Sequence, residues 1–354
     1  MTRRRLALGA VFALLSIPVV WAGFDKGLAA YMEGDFPTAF REFLEAAKAG
    51  DMVAANDVGV LYSTGRGTNV DLLQAVTWWK TAAEKGDDEA AFNLALAYQN
   101  GRGVPADDAA AAIWYRKAAD QGDPSAQHNL GVLYHSGRGV PLDMAEAAKW
   151  YRKAADQGDI SAQKSLADML SSGEGVAQDL AEAARYFRLA AEQGDAEAQR
   201  ILGAMYGAGI GLAPDREAAL SWYSKAADQG DAQAALNLGL LYANNRSEPE
   251  IMKRAYLWLS VASRELDDPA RLRVAAKTRD DVAGKLTAAE RDQAEQQLDQ
   301  WRPHGGNGLA DGSPRLDDQT QTANNGEQTE NCRAALRESL GQSNQWSEGK
   351  TACR

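Results

Sequence analysis

The sequence predicts an all-α fold, a right-handed α/α superhelical solenoid of stacked helical hairpins, and three observations predict it. Gly-Asp pairs stand at Gly50-Asp51, Gly86-Asp87, Gly122-Asp123, Gly158-Asp159, Gly194-Asp195 and Gly230-Asp231, every step 36 residues. Paired glycines keep that step at Gly65/Gly67, Gly101/Gly103, Gly137/Gly139, Gly173/Gly175 and Gly209/Gly211, and alanine recurs at 39, 75, 111, 147, 183, 219 and 255. Composition agrees. Of 354 residues 45% are hydrophobic, enough for a sizeable core, yet few windows alternate apolar and polar as a half-buried strand would.

The first 22 residues stand apart. "MTRRRLALGAVFALLSIPVVWAGF" places three arginines before an apolar run and then Val20-Trp21-Ala22, the order of a secretory signal peptide with cleavage after Ala22. The alternative is an uncleaved membrane anchor, against which the apolar run falls short of the ~20 residues a span needs; no Cys follows it for lipid attachment. A periplasmic or secreted protein is expected, with no membrane span once the leader is removed. Removal of Arg3, Arg4 and Arg5 takes the net charge from −11 to −14. So acidic a surface repels phosphate backbones, which argues against a nucleic-acid partner.

Residues 23–50 come next, with a tight Gly34-Asp35 turn between two helical stretches. The 36-residue units then follow, and each column has a physical reason. The Asp after Gly suits a helix start, where free N–H groups need an acceptor. In one unit Ala126, Leu130, Leu133 and Tyr134 share a helical face. The small residue beside it (Gly131, and Gly59, Ala95, Ala167, Gly203 and Gly239 elsewhere) admits a close neighbour. Gly137-Arg138-Gly139 ends the helix and Pro141 helps turn the chain. The second helix, 145–158, stacks Ala147, Trp150, Tyr151 and Ala154. Its ring pair recurs as Trp78-Trp79, Trp114-Tyr115, Tyr186-Phe187 and Trp222-Tyr223, filling the space between antiparallel helices.

These columns, in "SAQHNLGVLYHSGRGVPLD" (125–143) and "AEAAKWYRKAADQGDISAQ" (145–163), resemble the Sel-1-like repeat, a relative of the tetratricopeptide repeat, in an exported bacterial member. The resemblance covers residues 51–268, and the leading hairpin "GLAAYMEGDFPTAFREFLEAAKAGD" (27–51) is of tetratricopeptide type. Departures are Leu170 for the usual Tyr, Glu174 for the Arg, and Asn244-Asn245 in place of the last glycine loop. It implies protein–protein interaction, since relatives regulate sensor kinases, envelope assembly or polysaccharide export. Residues 269–302 are expected to be two capping helices, with a Thr287/Glu290 capping box and Trp301 pinning the end. The polar, Gly- and Asn-rich 303–354 is expected to be a disordered tail with a short Cys-bounded segment. Cys332 and Cys353 can pair as a disulfide in an oxidising compartment, or stay free.

Sharper readings meet the repeat and lose. Gly-Arg-Gly-Val at 137–140 lacks the Gly-Lys-Ser/Thr of a phosphate loop and has near-copies in the other units. Ser161-Ala-Gln-Lys164 matches Ser-x-x-Lys of β-lactam-binding enzymes, and some secreted, cysteine-rich relatives are linked to β-lactams. Here, however, the partner motifs and the paired repeat cysteines are missing, and Ser161 aligns with Ser125, Glu89 and Glu197. His128, His135 and His304 are too few and scattered for a metal centre, and no cofactor is expected. His128 reads as a surface residue.

Two neighbouring first-helix columns vary in chemistry: Asn56, Phe92, His128, Lys164, Arg200, Leu236, and Asp57, Asn93, Asn129, Ser165, Ile201, Asn237. Under tetratricopeptide geometry they face the concave side. Asn93, His128, Asn129, Lys164, Arg200 and Asn237 are therefore the candidate partner-binding residues, with the cations forming a strip for an acidic peptide. Solvated positions that simply drift between repeats would look the same. The leading expectation is an exported scaffold binding a protein partner, not an enzyme. The alternatives are a β-lactam-binding enzyme and an envelope protein that contacts the cell wall through its tail.

Overall fold

The computed structural model describes residues 13–244 and 248–303, with side chains from residue 23. Cys332, Cys353, the leader's arginines and the tail beyond Pro303 lie outside the described residues. Sixteen helices and no strand occur among the described residues. The chain divides into two compact units, one through Ala226 and one from Ala227.

In the first unit α1 (Ala13–Glu33) pairs with α2 (Phe36–Lys48), and α1 runs without a break past Ala22. Next come α3 (Met52–Thr64) with α4 (Leu72–Glu84), α5 (Asp88–Asn100) with α6 (Asp108–Asp120), and α7 (Pro124–Ser136) with α8 (Met144–Asp156). Then follow α9 (Ile160–Ser172) with α10 (Leu180–Glu192), and α11 (Ala196–Ala208) with α12 (Arg216–Asp228). From α3 onward every helix of this unit has 13 residues, so the 36-residue step of the sequence is the step of the fold. Each hairpin packs on the one before it, as the repeat requires, since one hairpin cannot bury its own apolar face.

The Gly-Asp pairs do what their chemistry suggests. Asp51, Asp87, Asp159 and Asp195 each accept from the backbone N–H three residues on, at 3.0, 2.7, 2.7 and 2.7 Å. A second column goes unremarked in the sequence reading: Asp71, Asp143 and Asp179 cap the second helices in the same way, at 3.0, 2.9 and 2.9 Å. The alanine column is fully buried at each of Ala39, Ala75, Ala111, Ala147, Ala183 and Ala219. Only a methyl fits there.

The two glycines of each loop have different jobs. Gly137 caps α7 in the left-handed conformation, φ +68°. Gly139 lies against the backbone of the preceding hairpin, where a Cβ would stand 2.2 Å from the carbonyl carbon of Asp108. Arg138 then holds Asp108 with a two-pronged contact, Nε–Oδ2 2.9 Å and Nη2–Oδ1 3.0 Å. Gly-Arg-Gly is thus a helix cap that doubles as a splice between hairpins.

The ring pairs also divide their labour. The second ring is buried at Trp79, Tyr115, Tyr151, Phe187 and Tyr223. It lies on the small residue of the partner helix, so that a Cβ at Gly131 would meet Tyr151 Cδ1 at 2.7 Å. In three of the five pairs the first ring is covered by a cation three residues on: Lys117 over Trp114, Lys153 over Trp150 and Lys225 over Trp222, at 4.0, 3.7 and 3.9 Å from the ring centre.

In the second unit α13 (Ala232–Asn244) pairs with α14 (Pro249–Glu265), which also packs on α15 (Pro269–Ala283) and α16 (Ala288–Gln300). Thr287 and Glu290 form the expected capping box. Trp301 is buried edge-on against Trp258, ring centres 6.0 Å apart. Among the described residues no helix is long and apolar enough to cross a membrane.

Candidate functional site

The candidate residues sit on the first helices, at positions adjacent to the buried stripe, and most are already engaged inside the protein. Asn56, buried on α3, accepts from Asn93 Nδ2 on α5 at 2.9 Å. Asn129 hydrogen-bonds the Tyr115 hydroxyl, which donates to Gln99 Oε1 at 2.7 Å. Ser165 hydrogen-bonds Tyr151 of the preceding unit. The polar members of the inner column thereby tie one hairpin to the next.

The cationic strip expected of His128, Lys164 and Arg200 is a different object in three dimensions. Lys164 Nζ lies 3.1 Å from Asp195 Oδ2 and 2.7 Å from Glu197 Oε2. Arg200 Nη2 reaches the same Glu197 at 3.7 Å. Asp168 is also close enough to feel both Lys164 and Glu197, so the cluster carries no excess of positive charge. Burial alone would lower the Lys164 pKa, but the hydrogen bonds to Glu197 and Asp195 outweigh it and raise it, so the amine keeps its proton. Ser161, its Ser-x-x-Lys companion, is exposed.

His128 is half-buried instead of lying on the surface, its ring 5.6 Å from that of Tyr151. Burial lowers its pKa, with Asp159 pulling the other way, and the imidazole is neutral at pH 7. Asn237 is half-buried on α13 and belongs to the second unit. The structure therefore brings Lys164 and Arg200 together around Glu197, sets His128 beside Asn129, and engages Asn93 with Asn56.

One feature escaped the sequence reading. Between α1, α2 and α3 lies a cavity of about 180 Å³ lined by Leu28, Tyr31, Phe43, Val60, Leu61 and the carboxylate of Asp57. Asp57 is the one ionisable member of the inner column. Burial, with Glu89, Asp87 and Asp51 adding repulsion, pushes its pKa up to about 7. A lone Asp in a column otherwise without charge was the available clue, but only the fold supplies the cavity walls. Among the described residues no group of three or more His, Cys, Asp or Glu is placed to hold a metal ion.

Comparison with known proteins gives consistent relatives. The family described as Sel1 repeat matches at residues 53–87, 88–123, 124–159, 160–195 and 196–231. The chain is similar to a Sel1 repeat protein from Oxalobacter formigenes of known crystal structure, 36% identical over 68% of this chain and 99% of that one, with a TM-score of 0.58. It is also similar to c5321, a protective antigen of uropathogenic Escherichia coli displaying an SLR fold. That pair is 28% identical over 80% of this chain and 84% of the other, with a TM-score of 0.50. No curated protein sequence matches.

Proposed function

The chain belongs to the Sel1 repeat family, whose members are generally non-enzymatic scaffolds for protein–protein interaction, and from that premise we propose that it is exported and holds a protein partner on the face lined by its first helices. One observation carries the reading. The framework repeats with fixed residues, while the adjacent column passes through Asp57, Asn93, Asn129, Ser165 and Ile201, changing chemistry at nearly every step. Packing explains the constant positions. These positions are only half-buried, and an amide or hydroxyl that makes one internal hydrogen bond keeps capacity for another, so the column is suited to reading an extended partner. The order of charge, apolar run and small residues at the N-terminus supports export.

The test is affinity capture from envelope extract with wild type and with an Asn93/Asn129/Asn237→Ala triple variant, both first shown by circular dichroism to fold. Loss of specific proteins in the variant is expected; identical recovery removes the face assignment. Amino-terminal sequencing of the mature protein should begin at Gly23, and retention of Met1 or Thr2 would remove the cleavage.

A further inference from the structure

The cavity at Asp57 combines features that ordinary packing does not need. Its walls are the side chains of Leu28, Phe43, Val60 and Leu61 with Tyr31, whose hydroxyl is taken by Arg66, and its one carboxylate is Asp57. Asp57 has neither a hydrogen-bond nor an ion-pair partner among the described residues, whereas Asn93 and Asn129 in the same column are both engaged. Its charged neighbours Asp51, Asp87 and Glu89 are all acidic. Arg66, which reaches the cavity-lining Tyr31, is spent there: it donates to the Tyr31 hydroxyl at 2.9 Å and lies over the Phe36 ring.

Building on the scaffold reading, we propose that this cavity receives a lysine side chain of the partner protein, its four-carbon stem against the apolar walls and its ammonium on Asp57. Charge complementarity selects the occupant. An acidic group would meet four carboxylates. A purely apolar side chain would fill the space but leave a desolvated carboxylate unpaired, which costs more than its burial returns. A guanidinium carries five donors, most of which these walls cannot satisfy, whereas an ammonium is a compact charge on a slender stem. Lysine matches a lining of mostly apolar side chains around one unpaired carboxylate.

The test is a titration of the full chain, followed by backbone amide NMR, with the capped peptide acetyl-Gly-Ala-Lys-Ala-Gly-amide. Saturable shifts at Leu28, Tyr31, Asp57 and Val60 are expected. Replacing the lysine by norleucine, which keeps the stem and deletes the charge, should weaken binding at least tenfold, and Asp57→Asn should do the same. Glu192→Gln, at an exposed carboxylate elsewhere, should change nothing. Shifts that spread over the acidic surface without saturating, equal binding of the norleucine peptide, or unchanged affinity in Asp57→Asn would each overturn the proposal. The two readings also fail separately. A partner captured equally by wild type and Asp57→Asn, yet lost by the triple asparagine variant, removes the lysine site and leaves the scaffold.

Discussion

Gln157 Nε2 donates to Gln127 Oε1 at 2.8 Å, and Gln127 Nε2 donates in turn to the Ala119 carbonyl at 3.1 Å. One buried amide thus joins α6, α7 and the end of α8. The next unit repeats it, with Gln193 on Gln163 at 2.9 Å and Gln163 on the Ala155 carbonyl at 3.2 Å.

Deleting that amide should loosen the stack. Gln127→Ala removes one of the bonds to the Ala119 carbonyl, which keeps the Gly122 N–H at 3.1 Å, and frees Gln157, at a cost of about 1 kcal/mol in urea denaturation. Gln127→Glu is the sharper probe. At pH 7 its carboxylate cannot donate to the carbonyl and should cost about 2–3 kcal/mol, part of which returns as pH falls to about 4, because burial raises the folded pKa and the acid regains its proton over that range. Equal stability of Gln127→Glu at both pH values, measured against wild type, would contradict the relay.

Gly139→Ala and Gly122→Ala separate backbone strain from collision. Both glycines have positive φ, +70° and +106°, but a Cβ at Gly122 meets nothing within 4 Å, while at Gly139 it strikes the Asp108 backbone. Gly122→Ala should cost about 1 kcal/mol from conformation alone. Gly139→Ala should cost about 3 kcal/mol or more, because neighbouring hairpins must part. Thermal melts of the two variants decide it, and equal losses would mean that the loops do not splice.

Asp57 should leave a mark on the pH dependence of stability. Its folded pKa is pushed up to about 7 from an ordinary value of 3.8, so the folded state holds the proton more tightly than the unfolded chain. Stability from this group is fully present below about pH 4 and is lost as pH rises through about 7. Asp57→Asn removes the penalty of the charged form. The variant should match wild type at pH 4 and exceed it by about 1–2 kcal/mol at pH 8, allowing for solvent screening. Parallel denaturation curves at the two pH values test the sign.

Ser161 and Lys164 should show no β-lactam chemistry. A lysine that keeps its proton between Asp195 and Glu197 is no general base. Purified wild type and Ser161→Ala are both expected to leave nitrocefin unhydrolysed over hours. Turnover by wild type that vanishes in the variant would reopen the enzyme reading.

The fold was legible because the period is unbroken: Gly-Asp pairs, Ala147 and its equivalents, and the ring pairs each report one step of the array. Local chemistry was legible too, as the Thr287/Glu290 box shows. The site was not, for one physical reason. Lys164 meets Asp195 and Glu197, and Asn93 meets Asn56, across 31, 33 and 37 residues, partners that come within reach only after hairpins stack. A column read alone shows Lys164 as a free cation; the stacked column shows it paired with carboxylates. His128 misled in the same way, because the Tyr151 ring that half-covers it belongs to the other helix of its hairpin.

The splice at Gly139 and Asp108 ties each hairpin only to the adjacent one, and within the first unit the other bonds between hairpins have similar reach. Excising residues 124–159 would bring Asp123 to the place of Asp159, one helix-capping aspartate for another, and the shortened chain could close over the gap with every interface still of a familiar kind. Contour length is then a quantity that gene duplication can dial up or down without redesigning a core, and melting should proceed from an end as from a frayed rope.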